Sequence, residues 1–161
     1  MTFWTEEKMT ISYRKATLAD IEAMQRLVAP KVDDGTILVR SNDELATNIR
    51  SYVLAFDRER LIGFTALHIH SPELAEIRSL IVDEAYRHHG IGSRLVQLAI
   101  EEGRALGLKR VLALTYAAHF FETLSFSEIP KESLPEHKIW ADCIKCKHFP
   151  VCNEIALIKA L

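Results

Sequence analysis

A chain of 161 residues can bury roughly two thirds of its unfolded surface in one core, without disulfides or metal to staple it. Its 48% apolar and 26% charged side chains exclude a disordered, collagenous or coiled-coil chain, and a net charge of −2 from 20 basic and 22 acidic residues speaks against a duplex-DNA binder with its basic face. No apolar run approaches the roughly 18 residues that span a bilayer, and Met1–Lys8 holds acids where a signal peptide is basic and then apolar. A cytoplasmic protein is expected, with neither membrane nor nucleic acid as partner.

Residues 1–10 read as a loose lead-in, and Ile11 to Lys15 alternates as a first strand. Thr17-Leu18-Ala19-Asp20 places an acid three residues after a capping hydroxyl, and Ile21, Met24, Leu27 and Val28 follow as an apolar stripe at helical spacing. Pro30 and Asp33-Asp34-Gly35 are expected to end that helix. Ser41-Asn42-Asp43-Glu44 starts another, with Leu45 and Ile49 on one face. Tyr52 to Phe56 and Leu61 to Ile69 read as a hairpin about the polar turn 57–60, and Ala75 to Val82 as a further strand. Gly90 to Leu106 reads as a helix with Ile91, Leu95, Leu98, Ala99 and Ala105 inward and Gly107 as its C-terminal cap. Val111 to Leu114 is a short buried strand, Ala118 to Leu124 a short helix, and Glu154 to Lys159 a last strand. Successive antiparallel strands followed by mixed elements predict one α/β (α+β) domain over 1–161, its mostly antiparallel sheet flanked by helices on both faces.

The chemistry concentrates in Ala75-Glu76-Ile77-Arg78-Ser79-Leu80-Ile81-Val82 and the following Arg87-His88-His89-Gly90-Ile91-Gly92. A strand here feeds a glycine-bearing loop that opens a helix. The first amides of a helix lack internal partners and carry the positive end of its dipole. Gly90 and Gly92, without Cβ, let a phosphate approach the main chain, and Arg87 adds a charged donor. Two glycines alone leave open a helix cap with no ligand. The spacing is neither a dinucleotide fingerprint nor a triphosphate loop, since no Lys-Ser/Thr follows.

Arg-x-x-Gly-x-Gly after such a strand resembles the acetyl-CoA pyrophosphate loop of the GNAT acetyltransferase superfamily. Ile37-Leu38-Val39-Arg40-Ser41, Gly63-Phe64-Thr65-Ala66-Leu67, Ala75-Glu76-Ile77, Leu114-Thr115, His119-Phe120-Phe121 and Leu134-Pro135-Glu136-His137-Lys138 are collinear with the acetyltransferase domain of bacterial N-acetylglutamate synthases. The resemblance implies acetyl-CoA as donor and direct transfer to an amine, glutamate first among acceptors, as the opening step towards arginine. It implies that the main chain of Leu80, Ile81 and Val82 holds the pantetheine arm, that Arg87, His88, His89, Gly90, Ile91, Gly92 and Ser93 seat the pyrophosphate, and that a splay between this strand and Val111–Leu114 admits the thioester. It leaves a homodimer open. The synthases' amino-acid-kinase-like domain, which senses arginine, is too large for this chain.

Amine attack needs an unprotonated nitrogen, hence a base acting directly or through water. Glu76 is the candidate, with Arg78 on the same strand face; an ion pair of the two at a sheet edge is the other reading. The tyrosine that many superfamily members use as acid is matched by Phe121, which leaves Tyr116 or backbone amides for the leaving thiolate, or Tyr116 as a packed surface tyrosine. Glutamate's carboxylates call for fixed cations. The resemblance points to Arg40 and Lys138, with Arg78 and Ser79 beside them, although Arg40 and Lys138 also suit solvated surface positions. The usual glycine after the short helix is Ser125 here, so a left-handed turn should be absent or strained. Cys143, Cys146 and Cys152, with His137 and His148 nearby, fall in an inserted loop over 139–153. They suit either tetrahedral zinc or three reduced thiols, and no second C-x2-C pair completes a zinc ribbon. The competing functions are acetylation of another small amine or a protein N-terminus, and a non-catalytic acetyl-CoA-binding or metal-binding regulatory module.

Overall fold

The computed structural model describes residues 8–134 and 154–161. Lys138 and the cysteine-bearing stretch lie outside the described residues. Seven strands, β1 (Ile11–Lys15), β2 (Tyr52–Asp57), β3 (Arg60–Ile69), β4 (Leu74–Val82), β5 (Arg110–Thr115), β6 (Ser127–Ile129) and β7 (Ile155–Ala160), form one sheet in the order β1-β2-β3-β4-β5-β7-β6. Every pairing is antiparallel except β4 with β5. The expected mixed, mostly antiparallel sheet is therefore present.

Alternation along the strands sorts side chains to two faces. Leu54, Phe64, Ala66 and Ile81 pack with Met24 and Val28 of α1 (Ile21–Asp33), while Val53, Ala55 and Ile62 pack with Ile91 and Leu95 of α3 (Ile91–Leu106). Helices thus cover both faces. Gly63 is what lets β3 and β4 approach under α3, because a Cβ there would stand 2.8 Å from the Ile81 carbonyl oxygen.

Ser41 caps α2 (Asn42–Thr47), accepting from the Glu44 amide at 3.1 Å. Asp20 reaches back to the Thr17 amide at 2.7 Å ahead of α1. Three expectations need correcting. Pro30 does not end α1, which runs on to Asp33; Pro30 lies on the exposed side of the last turns, where water can take the carbonyl it leaves unbonded. Ala105 is exposed, and Val96, Ile100 and Gly103 turn inward instead. Ile49 belongs to a separate 3-10 turn after α2. Ser125, after α4 (Ala118–Thr123), does adopt the left-handed turn, at φ 70°.

Two irregularities in β4 position the site. First, Phe64 faces Ile81 while Ala66 faces Arg78, so Thr65 stands opposite both Ser79 and Leu80. This is a β-bulge with Ser79 at φ 54°. The Thr65 hydroxyl donates to the Arg78 carbonyl at 3.0 Å. Second, β4 pairs with β5 only from Leu74↔Arg110 to Ile77↔Ala113, whereas β5 continues along β7 to Thr115↔Ile155. Beyond Ile77 the two parallel strands part.

Candidate active site

A cavity of about 720 Å³ occupies the gap between the parted strands. At one end, among the described residues, β4 after its bulge pairs with β3 alone, and its other edge, from Leu80 to Val82, lines the cavity. That edge offers main-chain groups to an extended ligand as an added strand would take them.

The chain then runs through the turn 83–90 into α3. His88 and Gly90 both take positive φ, 67° and 75°, a main-chain curl that gathers successive amides around a concavity. Arg94 is the residue whose amide bonds back to Gly90, at 3.0 Å, so the amides of the first turn before it have no helical acceptor. Arg87, His88, Gly90, Ile91, Gly92 and Ser93 line the cavity here, and His89 does not. The turn is tied to the β2–β3 hairpin, with the Tyr86 hydroxyl donating to Asp57 at 2.6 Å and Arg60 pairing with Asp83 at 3.0 Å. The shared proton holds the Asp57 carboxyl below, and the Tyr86 phenol above, their ordinary values.

At the other end, Glu76 is 7% exposed and lines the cavity. Arg78 Nε donates to its Oε1 at 3.1 Å. The ion pair anticipated as the alternative for Glu76 therefore exists, but in a central strand rather than at a sheet edge. The two readings are compatible, because the pair faces the cavity. Arg40 and Ser79 line the same end. The Ser79 hydroxyl is hydrogen-bonded to Tyr52, whose phenol burial pushes up against the opposing charges of Arg40 and Arg78. Tyr116 lines the cavity at 43% exposure. Phe121, which the resemblance sets against the superfamily's tyrosine, is buried and carries no hydroxyl.

Sequence reasoning missed Lys31, Thr36 and Glu154, which also line the cavity, and His70, whose ring meets Glu76. Lys31 comes from the last turn of α1 and Thr36 from the segment joining α1 to α2, where no motif marks them. Among the described residues the cavity presents Lys31, Arg40, Arg78 and Arg87 against Glu76 and Glu154. A protein of net charge −2 thus encloses a basic pocket, which favours an anionic ligand. These groups could seat a diphosphate at the α3 end, and a carboxylate-bearing amine beside Glu76. Among the described residues there is no cluster of three metal-ligating side chains, and no helix is long and apolar enough to cross a membrane.

Residues 17–126 match the Acetyltransferase (GNAT) family. An uncharacterized N-acetyltransferase of Chlorobaculum tepidum is 38% identical over 148 residues, 92% of this chain and 95% of its own. An amino-acid acetyltransferase of Mycobacterium tuberculosis is 33% identical over 120 residues, 72% of this chain and 68% of that one. The N-acetylglutamate synthase of Neisseria gonorrhoeae, solved with coenzyme A and N-acetyl-glutamate, superimposes with a TM-score of 0.85 at 25% identity. That match covers 96% of this chain but only 36% of the synthase.

Proposed function

The chain belongs to the GNAT acetyltransferase family, and on that premise we propose that it transfers the acetyl group of acetyl-CoA to the α-amine of glutamate. The observation that carries this reading is the meeting, in one basic cavity, of a buried carboxylate, two arginines and a strand edge that no described strand covers. The likeness to amino-acid acetyltransferases and to the gonococcal synthase supports it. The reaction would stand at the first step towards arginine, in the cytoplasm.

In this proposal the edge from Leu80 to Val82 pairs with the pantetheine amides, and Arg87 with the amides around Gly90 and Gly92 holds the diphosphate. Acetyl-CoA supplies an activated acyl carbon that an amine can attack without a covalent enzyme intermediate. Glu76 takes the proton from the amine, directly or through a water, because an α-amine is largely cationic at neutral pH. Arg40 and Arg78 hold the acceptor's carboxylates, with Lys138 as the further cation the resemblance points to. Tyr116 is the proton source for the departing thiolate, since Phe121 has none to give.

The test is an acceptor panel with acetyl-CoA, read as free thiol released. Glutamate should give the highest kcat/KM, and glutamine, which lacks the side-chain charge, should lose about tenfold or more. Turnover of peptide N-termini or neutral amines at the glutamate rate would refute the acceptor. No turnover with any amine would favour a silent acetyl-CoA-binding module.

A further inference from the structure

We propose that His70 is a positioning residue for the Glu76 carboxylate, an inference that rests on Glu76 being the base. His70 directly follows β3, at a tight turn. Its amide donates to the Leu74 carbonyl at 2.9 Å, and the Ser71 hydroxyl accepts from the Leu74 amide at 3.1 Å. Ile69 faces Ala75 across the hairpin, so His70 lies on the same sheet face as Glu76, one pair along. The turn thus delivers a side chain from a neighbouring strand end onto a carboxylate six residues on.

The ring is wholly enclosed, with a side-chain exposure of 0%, and its Nε2 lies 2.8 Å from Glu76 Oε1. Arg78 Nε reaches that same oxygen. No hydrogen bond from the described residues is made to the second oxygen, Oε2, and the carboxylate lines the cavity. Two donors on one oxygen fix the carboxylate's rotation and leave its other oxygen as the acceptor for an amine proton or a water.

The ring's other nitrogen shows why this is a device rather than packing. A carboxylate only accepts, so the Nε2 proton is donated to Glu76. Nδ1 is buried with no partner among the described residues, and a proton there would be a stranded donor. The imidazole is therefore a one-sided donor. It holds Glu76 from one side, and it offers the proton no onward path. An apolar residue would fill this site without an orphaned nitrogen; the orphan is tolerated where orientation of Glu76 is needed.

The experiment uses the full chain with whichever amine it acetylates, and compares His70→Leu, His70→Asn and His70→Gln with Glu76→Gln. The glutamine amide can stand near the Nε2 position, and the asparagine amide falls short of it. His70→Leu and His70→Asn should each lower kcat about tenfold or more, with acetyl-CoA affinity held within about twofold, while His70→Gln keeps kcat within about threefold of the parent. Adding His70→Leu to Glu76→Gln should cost nothing further. If His70→Leu fails to fold, the contrast between the asparagine and glutamine variants carries the test. Equal kcat in those two, beside a slow Glu76→Gln, would overturn the role of His70 alone. A Glu76→Gln variant at full speed would overturn the base, and the inference with it.

Discussion

From Leu74 to Ile77, β4 is hydrogen-bonded along both edges; from Arg78 to Val82 it keeps β3, loses β5 and is bulged at Ser79. The first half is scaffold on every side except where Glu76 meets the cavity. In the second half the edge from Leu80 to Val82 has no partner strand among the described residues and lines a cleft, an arrangement an extended ligand can satisfy. One strand thus holds a carboxylate rigidly at its closed end and presents an open edge beyond. In the proposed reaction, precision in the base and access for the thioester come from the two halves separately.

The largest blow to this division should come from Glu76→Gln, which we expect to lower kcat about 100-fold or more at neutral pH and to recover in part at high pH, where amines lose their proton unaided. A response flat across pH would place the base elsewhere. Val111→Ala tests the closed half as scaffold. Val111 faces Ala75 from β5 and is fully buried, so thermal unfolding should register a loss of about 2 kcal/mol with kcat preserved. Beyond the open half, Arg87→Ala should weaken acetyl-CoA binding about tenfold by calorimetry, through loss of a charge-assisted contact; unchanged affinity would break the link between strand edge and loop.

The smallest effect should come from a control far from β4. The Arg14 guanidinium, bonded to Asp20 at 2.8 Å, holds that carboxyl at about 2. A folded-state value below the unfolded one adds stability that is present above the usual carboxylate range and lost as pH falls through about 2. With Arg14 half exposed, Asp20→Asn should cost about 1 kcal/mol or less at neutral pH. The difference from the parent should shrink in melts as pH falls from the usual carboxylate range through about 2, and kcat should not change.

The sheet was legible because its strands alternate and its turns carry Asp57-Arg58-Glu59-Arg60 and Gly107. The phosphate-type loop was legible because Gly90 and Gly92 stand at a helix start. The bulge was not: Ser79 is no glycine, and nothing local marks a serine destined for φ 54°. Nor was His70, a single histidine whose importance depends on a turn bringing β3 back along β4. The three-residue β6 is too short to show a period, and its place is set by pairing with β7. Pro30 misled because a proline near a helix end forfeits one bond, and burial of Met24 and Val28 against the sheet outweighs it.

The extra residue at Ser79 has one further consequence. Ala75 and Ile77 point towards α3; past the bulge that side belongs to Leu80 and Val82, and Ile81 points towards α1. The strand changes parity in mid-course. The same residues laid out as a regular strand would not be a smoothed copy of this protein: from Leu80 to Asp83 they would be turned inside out, oily side chains exchanged between the two helical layers, whereas a chain lacking Ser79 would keep its faces and lose only the kink.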